Sequence, residues 1–207
     1  MRTNLPNLLT MFRIAVIPGL VALFYFESRF TSWLACGLFS LAAITDFLDG
    51  YIARVTKQQS AFGRFLDPVA DKLLVSSALL MMVAFGQISG LVILPALVIL
   101  CREITVSGLR EYLAGLQVSV PVSQLAKWKT TLQMVAIAVL IVGKNGPRDV
   151  PVVKIGEVGL WVAAILTIIT GYDYLRAGLR HIEREDADDE IDDSEPVRGG
   201  GANTNLR

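Results

Sequence analysis

The chain has 207 residues, of which 53% are hydrophobic and only 18% are charged. Soluble domains carry about a quarter charged residues, so this composition, with its long uncharged runs, indicates a membrane protein. The 19 basic residues balance the 19 acidic ones, which argues against a nucleic-acid partner, since a nucleic-acid binder needs a basic excess. Two cysteines within apolar runs and a single histidine exclude a disulfide scaffold and argue against a zinc site or a Ser-His-Asp triad.

The charges are unevenly distributed along the chain. Nine of the 19 acidic residues lie between Glu183 and Glu195. Residues 1–182 therefore hold 10 acidic and 16 basic residues, a surplus of six positive charges. We expect a membrane domain over residues 1–182 and an acidic, disordered cytoplasmic tail over residues 183–207.

Six segments are long and apolar enough to cross a bilayer as helices, which takes about 20 residues each. They run approximately over Leu8–Phe26, Trp33–Ala53, Asp67–Gly86, Leu91–Leu113, Ser123–Val142 and Val158–Leu179. The connectors are short, so the sequence predicts one all-α integral membrane domain. Lys and Arg residues concentrate at the N-terminus, the even-numbered connectors and the C-terminal end, which predicts that both termini are cytoplasmic.

Four aspartates lie at the predicted cytoplasmic ends of the second and third segments: Asp46, Asp49, Asp67 and Asp71. A charged residue inside a membrane helix costs about 2.5–3.5 kcal/mol, so each is a functional candidate. The members of each pair lie one helical turn apart, on one face. Because the connector between the two segments is short, we expect the helices to be antiparallel neighbours whose aspartates face each other.

Carboxylates gathered in this way need a cation among them. Oxygen ligands without histidine or cysteine favour a hard divalent ion such as Mg²⁺ or Mn²⁺, and four aspartates could hold two ions. The alternative is that these are ordinary helix-end acids, paired with Arg54, Arg64 and Lys72.

The aspartates belong to a longer pattern, which reads Asp46-x2-Asp49-Gly50-x2-Ala53-Arg54-x8-Gly63-x3-Asp67-x3-Asp71. The pattern resembles the signature of the CDP-alcohol phosphatidyltransferase family, and it matches that signature at every fixed position. The resemblance implies the six-helix CDP-alcohol phosphotransferase fold and a divalent-metal enzyme. Such an enzyme transfers a phosphatidyl or similar group from a CDP-linked donor to an alcohol and releases CMP.

The resemblance also implies a role for each residue of the pattern. Asp46, Asp49 and Asp67 would be metal ligands, and Asp71 would complete the metal site and act as general base. The nucleotide would bind Gly50, Ala53, Arg54 and Gly63, together with Asn7 and Thr10 from a stretch similar to one common in bacterial members. Close helix packing is an alternative explanation for the small residues.

Two further stretches, residues 101–111 and 126–134, are similar to stretches of bacterial members whose acceptor is glycerol 3-phosphate. They contain four cations that we expect to bind the acceptor phosphate: Arg102, Arg110, Lys127 and Lys129. The alternatives are the positive-inside bias and contact with anionic lipids. Glu103 and Glu111 are expected to pair with the arginines.

The sequence thus predicts transfer of the phosphatidyl group from CDP-diacylglycerol to glycerol 3-phosphate at the cytoplasmic face of a bacterial inner membrane. Membrane lipids are expected partners, and the resemblance implies a homodimer. Three alternatives are a cardiolipin synthase or a phosphatidylinositol-phosphate synthase of the same family and, from another class, a divalent-cation transporter.

Overall fold

The computed structural model describes residues 5–56, 61–115 and 124–194, which form helices and turns without a strand. The α-helices in these ranges are α1 (Leu5–Phe24), α2 (Arg29–Thr56), α3 (Ala61–Ala84), α4 (Ile93–Gly115), α5 (Gln124–Val142) and α6 (Val152–Ser194). Each overlaps one of the six predicted segments, so the prediction of an all-α chain is confirmed. Short 3-10 turns lie at Gly90–Val92 and Gly143–Asn145.

The connection after α3 follows from its glycine. Gly86 has a φ of 65°, a left-handed conformation that glycine adopts without a steric cost. The amide of Gly86 donates to the carbonyl of Val83 at 3.1 Å, and the amide of Gln87 donates to that of Met82 at 2.8 Å. This pair of bonds is a Schellman motif, which satisfies the last carbonyls of the helix. The glycine-containing connector therefore ends α3 and reverses the chain.

The helices pack around a ring in the order α1, α2, α5, α6, α4 and α3, and α3 also contacts α5 across the interior. α1 packs extensively against both α2 and α3, which hardly touch each other in the part of the chain that the structure describes. Because the side chains of residues 49–62 lie outside the described ones, the expectation that α2 and α3 are direct neighbours with facing aspartates stays a prediction. Both helices carry carboxylates, and α1 contributes side chains that bond to one carboxylate on each of them, as described below.

The interior of the ring is apolar over most of its length. Its fully buried side chains include Leu20, Phe39, Leu74, Met82, Ile137 and Leu140. Many large apolar side chains point outward instead, and Leu80 and Ile104 are 68% and 59% exposed. Large exposed apolar surface of this kind is typical of a chain that lies in lipid.

Two described stretches are long and apolar enough to cross a membrane, by length and composition. They are Gly90–Gly115, which contains α4, and Val152–Arg176, the first part of α6. Leu8–Phe24 is apolar but shorter. That all six helices span the membrane, with both termini in the cytoplasm, stays a prediction.

α6 continues well beyond the sixth predicted segment. It runs as a helix to Ser194, so the predicted domain boundary at residue 183 falls inside a helix rather than at its end. This extension contains Glu183, Glu185, Ala187 and Glu190, residue types that favour helix. Residues 195–207 lie outside the described residues, and a separate tail domain stays a prediction.

Candidate active site

The N-terminal half of α1 contacts the aspartates of both neighbouring helices. Nη1 of Arg13 lies 2.8 Å from Oδ1 of Asp46 on α2. The hydroxyl of Thr10 donates to Oδ1 of Asp67 on α3. Because Thr10 and Arg13 are one turn apart on α1, Asp46 and Asp67 lie on either side of the same stretch of helix. α1 thereby joins the two halves of the aspartate pattern.

Arg13 is an unusual residue for the interior of a membrane protein. Its side chain is fully buried, whereas that of Asp46 is 39% exposed. A buried guanidinium needs an anion nearby because desolvation of its charge is costly. The position of Asp46 is therefore fixed by a cation that is itself fixed by packing.

The third described aspartate, Asp71, lies one turn after Asp67 and bonds to a neighbouring cation. Nζ of Lys72 lies 2.7 Å from Oδ2 of Asp71. The same ammonium group donates to Oε2 of Glu103 on α4. Lys72 thus connects the carboxylate cluster, defined here as Asp46, Asp67 and Asp71, with a second group of charges on α4 and α5.

That second group is centred on Glu103, which is 8% exposed. Oε1 of Glu103 accepts from Nζ of Lys129 on α5 and from Nη1 of Arg102, the latter at 3.1 Å. Glu103 therefore binds three cations from three helices: Lys72, Arg102 and Lys129. This cation cluster has two more positive than negative charges. The expected pairing of Glu103 with arginine is confirmed for Arg102, and the two lysines add to it.

α6 supports the cation cluster from its other side. Nη2 of Arg102 donates to the hydroxyl of Thr170 at 3.4 Å. A Cβ atom at Gly171 would lie only 3.0 Å from Cγ of Arg102. The glycine therefore allows the stem of Arg102 to lie directly against α6.

The cations of the cluster differ in their access to solvent. The side chain of Lys129 is 2% exposed, against 16% for Arg102 and 26% for Lys72. Lys129 is thus enclosed by protein and bonded to Glu103.

Arg110, a further predicted phosphate ligand, lies farther along α4. Its guanidinium is 5.9 Å from the ring centre of Tyr174, in a cation-π contact. The structure brings Arg102 and Lys129 together and places Arg110 in a different contact.

The chemistry of the carboxylate cluster suits a hard divalent cation, which prefers oxygen ligands. Its donors are carboxylate oxygens on adjacent turns of α2 and α3, and Asp46 is partly exposed. Among the described side chains, no three carboxylate, imidazole or thiol groups converge closely enough to form a complete metal site. Each aspartate of the cluster bonds instead to a protein side chain.

Several predicted site residues lie outside the described side chains. They are Asn7, Asp49, Gly50, Ala53, Arg54 and Lys127. Gly63 is described and is buried near the start of α3. The roles assigned to all of these residues stay predictions.

An open groove runs between α2 and α5 and ends at the carboxylate cluster. Its volume is about 430 Å³. Asp46 lines one part of it, and apolar side chains such as Phe39, Ile44 and Met134 line most of the rest. The groove therefore connects a polar site with an apolar surface.

Sequence reasoning left two of these residues without a functional role. Arg13 interrupts an apolar stretch, and the cost of a charge in such a stretch was the available signal. The sequence suggests Lys72 only as an ion-pair partner of the aspartates, because nothing in the sequence shows that it also reaches α4.

The arrangement thus combines three described aspartates, which do not by themselves form a complete metal site, with a group of cations around Glu103. A family model for CDP-alcohol phosphatidyltransferases matches residues 3–169. The chain belongs to this family and is a transferase.

Curated relatives cover most of the chain. A CDP-diacylglycerol–glycerol-3-phosphate 3-phosphatidyltransferase of Rickettsia bellii is 51% identical over 174 residues, which are 84% of this chain and 94% of the relative. Proteins of the same name from Cereibacter sphaeroides and Pectobacterium atrosepticum are 40% and 43% identical, over 89% and 87% of this chain and 100% and 97% of the relatives.

A solved structure has a similar fold. The crystal structure of Mycobacterium tuberculosis phosphatidylinositol phosphate synthase in its apo form aligns with a TM-score of 0.60. The alignment covers 84% of this chain and 88% of that chain, at 19% sequence identity. At this identity the likeness establishes the fold but not the acceptor.

Proposed function

We propose that the chain transfers the phosphatidyl group of CDP-diacylglycerol to glycerol 3-phosphate, giving phosphatidylglycerophosphate and CMP. The observation that carries the proposal is the bridge from Asp71 through Lys72 to Glu103. It joins a carboxylate that could act as a base to a group of cations that could bind a phosphate. The reaction named for the curated relatives requires both features.

Two divalent ions, Mg²⁺ or Mn²⁺, would be held by the four aspartates of the pattern: Asp46, Asp49, Asp67 and Asp71. The bound metal would supply neutralisation of the pyrophosphate charge of the donor and of the leaving CMP. The support for this assignment is the oxygen-only donor set and its partial exposure at Asp46. Thr10 and Arg13 would keep the carboxylates of α2 and α3 in position from α1.

The remaining steps use side chains of the chain itself. Asp71 would accept the proton of the primary hydroxyl of glycerol 3-phosphate, and the oxygen would then attack the lipid-bearing phosphorus of the donor. The residues expected to contact the cytidine nucleotide are Asn7, Thr10, Gly50, Ala53, Arg54 and Gly63.

The phosphate of the acceptor would bind near Arg102 and Lys129, with Arg110 and Lys127 as further candidates. The surplus of positive charge around Glu103 supports this assignment. Arginine and lysine are the residues that bind phosphate through charge-assisted hydrogen bonds. An acceptor without a phosphate would not need such a surplus.

The proposed orientation places all six helices across a bacterial inner membrane, with both termini and the active site at the cytoplasmic face. The acyl part of the donor would then lie in the bilayer, close to the apolar groove between α2 and α5. The acceptor would enter from the cytoplasm. A homodimer is part of the same proposal.

The test is an acceptor comparison with purified protein, CDP-diacylglycerol and Mg²⁺. We expect one CMP released per phosphatidylglycerophosphate formed, only with glycerol 3-phosphate, and no reaction after chelation of divalent ions. Phosphatidylglycerol and inositol phosphate are the control acceptors. Turnover with either of them, but not with glycerol 3-phosphate, would contradict the assignment. Divalent-cation flux into proteoliposomes without CMP release would indicate a transporter instead.

A further inference from the structure

Lys72 occupies a special position between the two charged clusters. Its ammonium group contacts Asp71 and Glu103 simultaneously. An ammonium group has three N–H donors and no acceptor. Two donors are used in these contacts, so one remains for a further acceptor group.

Lys72 also has the greatest access to solvent within the cation cluster. Its side chain is 26% exposed, whereas that of Lys129 is 2% exposed. Lys129 donates to Oε1 of Glu103 and Lys72 to Oε2. Lys129 thus holds the carboxylate from the protein side, while Lys72 lies on its more accessible side.

We infer that Lys72 is a ligand of the acceptor phosphate and that Glu103 and Lys129 are the positioning residues that hold it there. The inference rests on the proposed function and deepens it. The acceptor carries a hydroxyl group at one end of three carbons and a phosphate at the other. Asp71 and Lys72 are in contact, so one small molecule could reach both.

Charge balance supports this assignment. Lys72, Arg102 and Lys129 surround Glu103, and Lys72 also pairs with Asp71, so three cations meet two carboxylates in a protein interior where an uncompensated charge is costly. A negatively charged phosphate would compensate the remaining positive charge. The partly exposed Arg102 would bind the same phosphate, since a guanidinium group can donate to two phosphate oxygens.

The test is Lys72→Gln, assayed with CDP-diacylglycerol and glycerol 3-phosphate. The variant should fold, because Glu103 keeps its bonds to Arg102 and Lys129. Loss of one charge-assisted contact should raise the KM for glycerol 3-phosphate about tenfold to a hundredfold. The inhibition constant of inorganic phosphate, measured against glycerol 3-phosphate, should rise by a similar factor. The KM for CDP-diacylglycerol should stay constant, and kcat should change less than the acceptor KM.

Two further variants separate binding from structural support. Lys72→Arg keeps the charge and should restore most of the acceptor affinity. Lys144→Gln removes an exposed lysine at the opposite end of the bundle and should leave every constant unchanged. An unchanged acceptor KM in Lys72→Gln, or an equal rise in the KM of both substrates, would overturn the inference. If the unmodified protein does not use glycerol 3-phosphate, the proposed function itself fails, which is a distinguishable result.

Discussion

The carboxylate cluster and the cation cluster differ in how their charged side chains are held in place. In the first, aspartates of α2 and α3 surround α1, which contributes Thr10 and the fully buried Arg13. In the second, cations from α3, α4 and α5 surround the buried Glu103. The cation cluster thus has one anion at its centre, whereas the three aspartates bond to three different side chains, namely Arg13, Thr10 and Lys72.

This difference bears on how the proposed enzyme would bind both a metal and a phosphate at the same end of a helix bundle. Charges of one sign repel each other strongly where the dielectric constant is low. The buried Glu103 would let the cations gather, and their remaining positive charge would be available to the acceptor phosphate. Lys72 is the point of contact, since it bonds to Asp71 of one cluster and to Glu103 of the other.

The largest effect is expected when Asp71, the proposed base in the carboxylate cluster, is replaced. Asp71→Asn keeps the shape of the side chain but cannot accept the proton of the acceptor hydroxyl. We expect kcat to fall about 10²–10⁴-fold, the usual contribution of a general base. CMP release from CDP-diacylglycerol, measured at saturating glycerol 3-phosphate, checks this.

A matched control for this variant is Asp149→Asn. Asp149 is exposed in the connector between α5 and α6, at the end of the bundle away from Asp71, and its replacement should leave kcat unchanged. If Asp71→Asn retained kcat within a factor of about two while its fold was intact, Asp71 could not be the base.

More of the carboxylate cluster than of the cation cluster could be predicted from the sequence. Asp46, Asp49, Asp67 and Asp71 stand out because charge is rare in apolar segments and because their spacing repeats with the helical turn. The helices that carry them were also predicted at nearly their observed positions. The spacing did not show that α1 packs against both of these helices. Periodicity within one helix carries no information about which other helix supports it.

The cation cluster depends on contacts between residues that are far apart in the chain. Lys72 and Glu103 are separated by 31 positions, and Lys129 and Glu103 by 26. Periodicity within one helix carries no information about such pairs. The sequence indicated Arg102 and Lys129 as phosphate ligands, but it did not reveal that Glu103 connects them. The burial of Lys129 likewise follows only from the packing of the whole bundle.

The second largest effect is expected when Glu103, the anion at the centre of the cation cluster, is replaced. Glu103→Gln keeps the size of the side chain but removes the carboxylate bonded to Lys129. Loss of one partner from a buried ion pair costs about 3–5 kcal/mol. We therefore expect a clear decrease in Tm in detergent solution, together with an increased KM for glycerol 3-phosphate if Glu103 positions Lys72.

Glu111→Gln is the control for the central glutamate. Glu111 lies two turns farther along α4 and is exposed, and exposed substitutions usually change the free energy of unfolding by less than about 0.5 kcal/mol. Equal values of Tm for Glu103→Gln and Glu111→Gln would show that the cation cluster does not stabilise the bundle.

The smallest expected effect distinguishes the two arginines of α4 that the sequence treats alike. Arg102 and Arg110 are separated by eight residues, or about 12 Å along a helix. Arg102 bonds to Glu103 and Thr170 within the cation cluster, whereas Arg110 contacts the ring of Tyr174. Arg102→Gln should therefore raise the KM for glycerol 3-phosphate about tenfold. Arg110→Gln should raise it no more than about twofold, because exposed charges contribute little. Equal increases in the two variants would mean that the acceptor phosphate lies between the arginines, farther along α4 than Glu103, and that Arg110 leaves Tyr174 to bind it.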